Sequence, residues 1–116
     1  MDRKSVNEIV EGELATVGEA AVVQLVRKLQ VEPYPVERDW NYGAPGEGVP
    51  GEKYVCWTFL EHPQSKTGIA YCERGFGPKY PWGLVALSGS YMSMGMSDGW
   101  FASLEQAVRE SMAWKG

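Results

Sequence analysis

The sequence is poor in the groups that most enzymes use for proton and metal chemistry. Its 116 residues include one histidine, His62, and two cysteines, Cys56 and Cys72. A single histidine excludes a histidine-rich metal site and an HExxH zinc hydrolase, which needs two imidazoles on one helix face. Two thiols are half of a structural zinc site, and their spacing matches neither CxxC nor a finger pattern. Long apolar runs are also missing, and none approaches the ~20 residues that span a bilayer. Basic blocks are absent too. The eleven Lys and Arg residues never run beyond the pairs Arg3-Lys4 and Arg27-Lys28, and the formal net charge is -4. A protein that neutralises nucleic-acid phosphates collects cations, so neither nucleic acid nor membrane is an expected partner. The start, Met1-Asp2-Arg3-Lys4-Ser5, leads into a Glu-rich segment rather than the apolar core of a signal peptide, and the expected location is cytoplasmic.

What is present is a globular composition with unusual aromatic weight. Hydrophobic residues make up 44% and charged residues 22%, with five Trp, six Tyr and three Phe. Such a composition argues against disorder, and 116 residues fit one domain, 1–116, with an ordinary core. The expected fold class is α+β: a three- to four-stranded antiparallel meander packed with an N-terminal helix or helix pair and a C-terminal helix.

Val6, Val10, Leu14, Val17, Ala21, Leu25 and Leu29 recur every three or four residues and predict helix over 5–30. Ser5-x-x-Glu8 and Thr16-x-x-Glu19 both read as capping boxes, and Gly12 and Gly18 favour a break into two helices. Val31-Glu32-Pro33-Tyr34-Pro35 then ends the helix, and the chain reads as loop as far as Gly51. Tyr54–Leu60 and Thr67–Cys72 predict a hairpin in which Trp57 faces Tyr71, Phe59 faces Ile69, and Cys56 faces Cys72. Trp82–Ser88 predicts a buried third strand, and the alternation over 90–95 a fourth. Ser103-x-x-Gln106 caps a last helix with Leu104, Ala107, Val108 and Met112 on its buried stripe, and Trp114 clamps its end. The expected core is Val22, Leu25, Val26, Val55, Trp57, Phe59, Ile69, Leu84, Val85, Leu87, Leu104 and Val108.

The most constrained stretch is Arg74-Gly75-Phe76-Gly77-Pro78-Lys79-Tyr80-Pro81-Trp82-Gly83. It lacks GxxxxGK[ST], Pro78 removes an amide that would hold an anion, and no helix follows, so it is not a nucleotide loop. No other cofactor motif appears, and no cofactor is expected. Glycine and proline give the stretch shape while its rings give it an apolar surface. Together with the loop bearing Trp40 and Tyr42, it makes Trp40, Tyr42, Phe76, Tyr80 and Trp82 the candidate contacts for a ligand or protein partner. The expectation is a non-catalytic binding protein of bacterial accessory, adaptor or toxin-neutralising type. The alternative is a small hydrolase-like enzyme using Asp39, Glu37, His62 or Cys56 in a cleft lined by the same rings. Met92, Met94 and Met96 fit either core filling or a homodimer interface, because methionine repacks easily.

Overall fold

The computed structural model describes residues 2–39, 53–73, 80–87 and 100–114. Within them lie three helices and five strands: α1 (Arg3–Thr16), α2 (Ala20–Leu29), β1 (Gln30–Asp39), β2 (Lys53–His62), β3 (Thr67–Tyr71), β4 (Trp82–Ala86), β5 (Trp100–Phe101) and α3 (Leu104–Glu110). The strands form one antiparallel sheet in the order β1-β2-β3-β4-β5. The α+β meander is as the pattern predicts, with one strand more than the expected maximum. None of the helices described is long and apolar enough to cross a membrane.

The N-terminal periodicity does split into two helices, with the break at residues 17–19. Its capping differs from the predicted boxes. Asp2 caps α1 by accepting from the Ser5 amide at 2.8 Å, which also holds the Asp2 carboxyl below its usual pKa. The Thr16 hydroxyl donates backward to the Glu13 carbonyl at 2.8 Å, and Glu19 caps α2 without a side-chain bond. Across the break, Arg27 grips Glu11 with two guanidinium contacts, one of them 2.8 Å, and ties α2 back to α1.

Two strands were not expected, β5 and β1, the latter in the stretch that two prolines mark as loop; the fourth strand expected over 90–95 lies outside the described residues. Proline lacks the amide that a central strand must donate, but an edge strand has one side unpaired. Pro35 lies opposite Trp57 in the register with β2, where its missing N–H turns to the open edge. Pro33 is buried, and its carbonyl accepts from Arg3 Nε of α1 at 3.0 Å. The edge is therefore closed at Pro33 by a missing donor and an occupied acceptor.

The β2–β3 hairpin shows why alternation alone misplaces one pair. Trp57 lies opposite Tyr71 as predicted, but the register shifts between Thr58 and Leu60, so Leu60 rather than Phe59 faces Ile69. One extra residue in a strand turns two successive side chains toward one face. Phe59 and Leu60 accordingly both enter the core beneath the helices. The bulge also brings the Leu60 carbonyl over Gly68. A Cβ at Gly68 would meet that oxygen at 2.4 Å, so glycine is required there.

All three helices cover one face of the sheet. Val6, Val10, Leu14, Val22, Val26, Leu104, Ala107 and Val108 pack there against Phe59, Leu60, Ile69 and Trp82. Each large side chain so buried contributes about 1.5–3 kcal/mol. The opposite face carries a second cluster of Cys56, Ala70, Cys72, Val85 and Trp100. Of the predicted core, Val22, Val26, Phe59, Ile69, Val85, Leu104 and Val108 are buried; Leu25, Trp57, Leu84 and Leu87 are half-buried. Two assignments fail. Val55 is 46% exposed, toward the end of the sheet beyond the helices, and Met112 is 66% exposed because α3 stops at Glu110. Ser103 caps α3 as predicted, accepting from the Gln106 amide at 3.1 Å.

Candidate functional site

The predicted contact residues fall in three groups. Trp40, Tyr42 and Phe76 lie outside the described residues, as do Met92, Met94 and Met96. Tyr80 is 41% exposed just before β4, where its ring can meet another molecule. Trp82 is only 2% exposed. Its ring meets Phe59 edge-on at 5.6 Å and Tyr71 at 4.9 Å, so its surface is spent inside the core. Tyr71 is half-buried, and burial pushes its phenol pKa up, helped by the nearby Glu73 charge.

The groups proposed for catalysis do not converge. Asp39 pairs with Lys53 at one end of β2, and His62 ends the same strand. Nine residues of extended chain separate those ends by roughly 30 Å. Glu37 sits opposite Val55 near the Asp39 end and is exposed. Cys56 is fully buried in the cluster on the face away from the helices. Glu61, the neighbour of His62, accepts from the Tyr34 hydroxyl at 2.6 Å and serves the β1–β2 pairing. Among the described residues no group of three His, Cys, Asp or Glu is placed to hold a metal ion.

A different site lies on the helix side of the β2–β3 turn. Ala21, Leu25, Lys28 and Leu29 of α2 form one wall of a groove of about 590 Å³. His62, Pro63 and Gln64 form the second wall, and Ala113 and Trp114 close it. The α2 residues share a helix face because they recur at three- and four-residue spacings. Only Val22 and Val26 of α2 are fully buried, which leaves Leu25 and Leu29 half-buried beside the groove. Trp114 is contacted by Arg109 of α3. The Arg109 guanidinium lies 5.2 Å from its ring centre and is itself fixed by Glu105 one turn earlier, at 2.9 Å. At an exposed site such a cation–π contact favours this ring position by about 0.5–1 kcal/mol.

The turn is fixed by side-chain hydrogen bonds. His62 Nδ1 and Ser65 Oγ are 2.7 Å apart, Ser65 Oγ and Thr67 Oγ1 are 2.5 Å apart, and Ser65 Oγ reaches the His62 carbonyl at 3.2 Å. Lys66 closes the turn at φ 58°, in the left-handed region. A Ser–His contact of this length is what a nucleophile and base would show, but a serine has one hydrogen to give. When it serves the His62 carbonyl, the imidazole donates through Nδ1, and the pair acts as a turn staple.

The sequence contained a trace of this groove. Leu25 and Leu29 lie on the apolar stripe of α2, half-buried at the edge of the core, and Trp114 is a large ring near the chain end. The juxtaposition of α2 with the turn is tertiary, and no local pattern reports it. No protein-family model, curated protein or solved structure matches the chain.

Proposed function

We propose that the chain is a non-catalytic binding protein whose groove between α2, the β2–β3 turn and Trp114 receives an apolar part of a protein partner or small ligand. The observation that carries this reading is the groove itself. It is lined by the apolar Leu25, Leu29 and Ala113, a ring contacted by Arg109, and one lysine, Lys28. Pockets that bind are mostly apolar with a few placed polar groups, and this composition fits. Lys28 favours an occupant with a carboxylate or another anion at one end. Tyr80 remains a second contact from the predicted set, near the far edge of the sheet. An accessory, adaptor or neutralising role suits a chain of this kind, and a cytoplasmic setting suits its charge.

The test is comparative capture from the source cells. Wild type, Leu25→Glu and Val55→Glu would be immobilised after circular dichroism has shown all three folded. The same species should be retained by wild type and Val55→Glu and lost with Leu25→Glu. Equal retention by Leu25→Glu would sink the assignment to the groove.

One observation favours a second reading, the Ser65–His62 contact on the groove wall. A hydrolase built on it would cleave activated esters, and Ser65→Ala would abolish the turnover. No turnover by wild type leaves the binding reading alone, and turnover that survives Ser65→Ala excludes Ser65 as the nucleophile.

A further inference from the structure

We infer that Cys56 and Cys72 are a thiol–disulfide couple, a modification site at which β2 and β3 can be linked covalently. The register supplies the geometry. The strand pairing ends at Trp57 opposite Tyr71, and continuing the antiparallel register one step sets Cys56 opposite Cys72, just past the end of β3. Opposed pairs alternate between those that exchange hydrogen bonds and those that do not, and the latter bring the side chains closer. Two observations assign the cysteine pair to the closer kind. Pro35 has no amide and lies opposite Trp57 on the β1 side, so the Trp57 backbone groups turn toward β3 and Trp57–Tyr71 is the bonded pair. Independently, the Cys72 amide donates to the Pro81 carbonyl at 2.9 Å, toward β4 and away from β2. A non-bonded pair holds its Cα atoms about 4.5 Å apart, within the disulfide range of about 4.4–6.8 Å.

The side chains share one environment. Both sulfurs belong to the cluster with Ala70, Val85 and Trp100, both residues are at most 2% exposed, and no disulfide joins them. Apolar burial disfavours the thiolate and shields it from reagents, so the first step needs a local opening of the sheet. Burial slows the chemistry, and the end point is set by the reduction potential of the pair. A small-molecule disulfide such as oxidised glutathione is the oxidant. One cysteine thiolate attacks a glutathione sulfur, forming a mixed disulfide and releasing one glutathione thiolate. The second cysteine thiolate attacks the protein sulfur of that mixed disulfide and releases the other. The two protons from the cysteines end on the two released thiols, so two cysteines are oxidised and one glutathione disulfide is reduced.

The experiment equilibrates the folded full chain with glutathione buffers from fully reduced to fully oxidised. Samples are quenched in acid and alkylated in denaturant, then read by intact mass and by non-reducing peptide mapping. Wild type should lose both alkylatable thiols together, as a monomer lighter by two hydrogens, with the peptides of Cys56 and Cys72 linked. Cys56→Ser and Cys72→Ala should each stop at a glutathione adduct on the remaining cysteine. Wild type that ends as a glutathione adduct, as a covalent dimer, or with both thiols intact in the most oxidising buffer overturns the inference. The wild-type result decides it even if a variant fails to fold.

Discussion

Gly83→Ala is a small change whose cost follows from one contact. Gly83 pairs with Trp100 across β4 and β5, and the Trp100 ring lies flat over it. A Cβ at position 83 would stand 2.6 Å from two carbons of that ring and 2.7 Å from a third. Carbon atoms rest at about 3.5–4.0 Å, so the ring must withdraw by roughly 1 Å. It has little room to do so. Trp100 is 6% exposed and packs with Val85 and Ala70. Overpacking of this kind costs about 1–3 kcal/mol. Alanine restricts the unfolded chain and returns about 0.4–1 kcal/mol, so at the middle of both ranges the net loss is about 1.3 kcal/mol. For a chain of this length that lowers Tm by roughly 4–8 °C. Thermal and urea unfolding followed by circular dichroism would measure it, with the urea slope unchanged. In a Trp100→Val background the ring is gone and the same alanine should cost nothing. A Gly83→Ala protein as stable as wild type would refute the packing of Trp100 on Gly83, because intrinsic strand preference alone favours alanine.

Three further outcomes follow from the packing and the charges. Trp82→Ala removes the ring that meets Phe59 and Tyr71 and should cost about 3–5 kcal/mol in urea unfolding. Ser103→Ala removes the α3 cap and should cost about 1 kcal/mol, with Ser103→Asp restoring it. The Glu11 carboxyl has its pKa lowered chiefly by its hydrogen bond from Arg27. A depressed folded pKa stabilises above the unfolded value and is lost as pH falls through the folded one. Glu11→Gln should therefore melt slightly below wild type at neutral pH, and the gap should close on acidification below roughly pH 4. The effect stays small because both side chains are about half exposed to solvent.

The parts of the fold legible in the sequence are those with a local cause. The helix pair, the hairpin, the buried strand at Trp82 and the Ser103 cap each rest on periodicity or a short motif. The misread parts have tertiary causes. Pro33 and Pro35 read as breakers because their tolerance depends on β1 lying at the sheet edge, with Arg3 arriving from α1 to satisfy the Pro33 carbonyl. The bulge at Phe59 and Leu60 keeps two neighbours on one face, which strict alternation forbids. Val55 and Met112 carry core-like side chains at places that none of the described helices covers. For the site, Trp82 shows the same limit: a ring beside a glycine-rich stretch can face inward or outward with an identical sequence. The separation of Asp39 from His62 is legible only once both ends of β2 are assigned. Leu25, Leu29 and Trp114 were visible as apolar residues but not as neighbours.

The groove is tested most directly by placing a photo-crosslinking amino acid at Gln64, on its rim, and at Glu37, near the opposite end of the sheet. Irradiation of the source cells expressing each variant, followed by mass spectrometry of the adducts, compares the two surfaces under identical conditions. A discrete adduct from position 64 that is missing from position 37, and is lost when Leu25→Glu is added, is the predicted result. The same adducts from both positions, or an adduct from position 37 alone, would contradict a binding site between α2 and the β2–β3 turn.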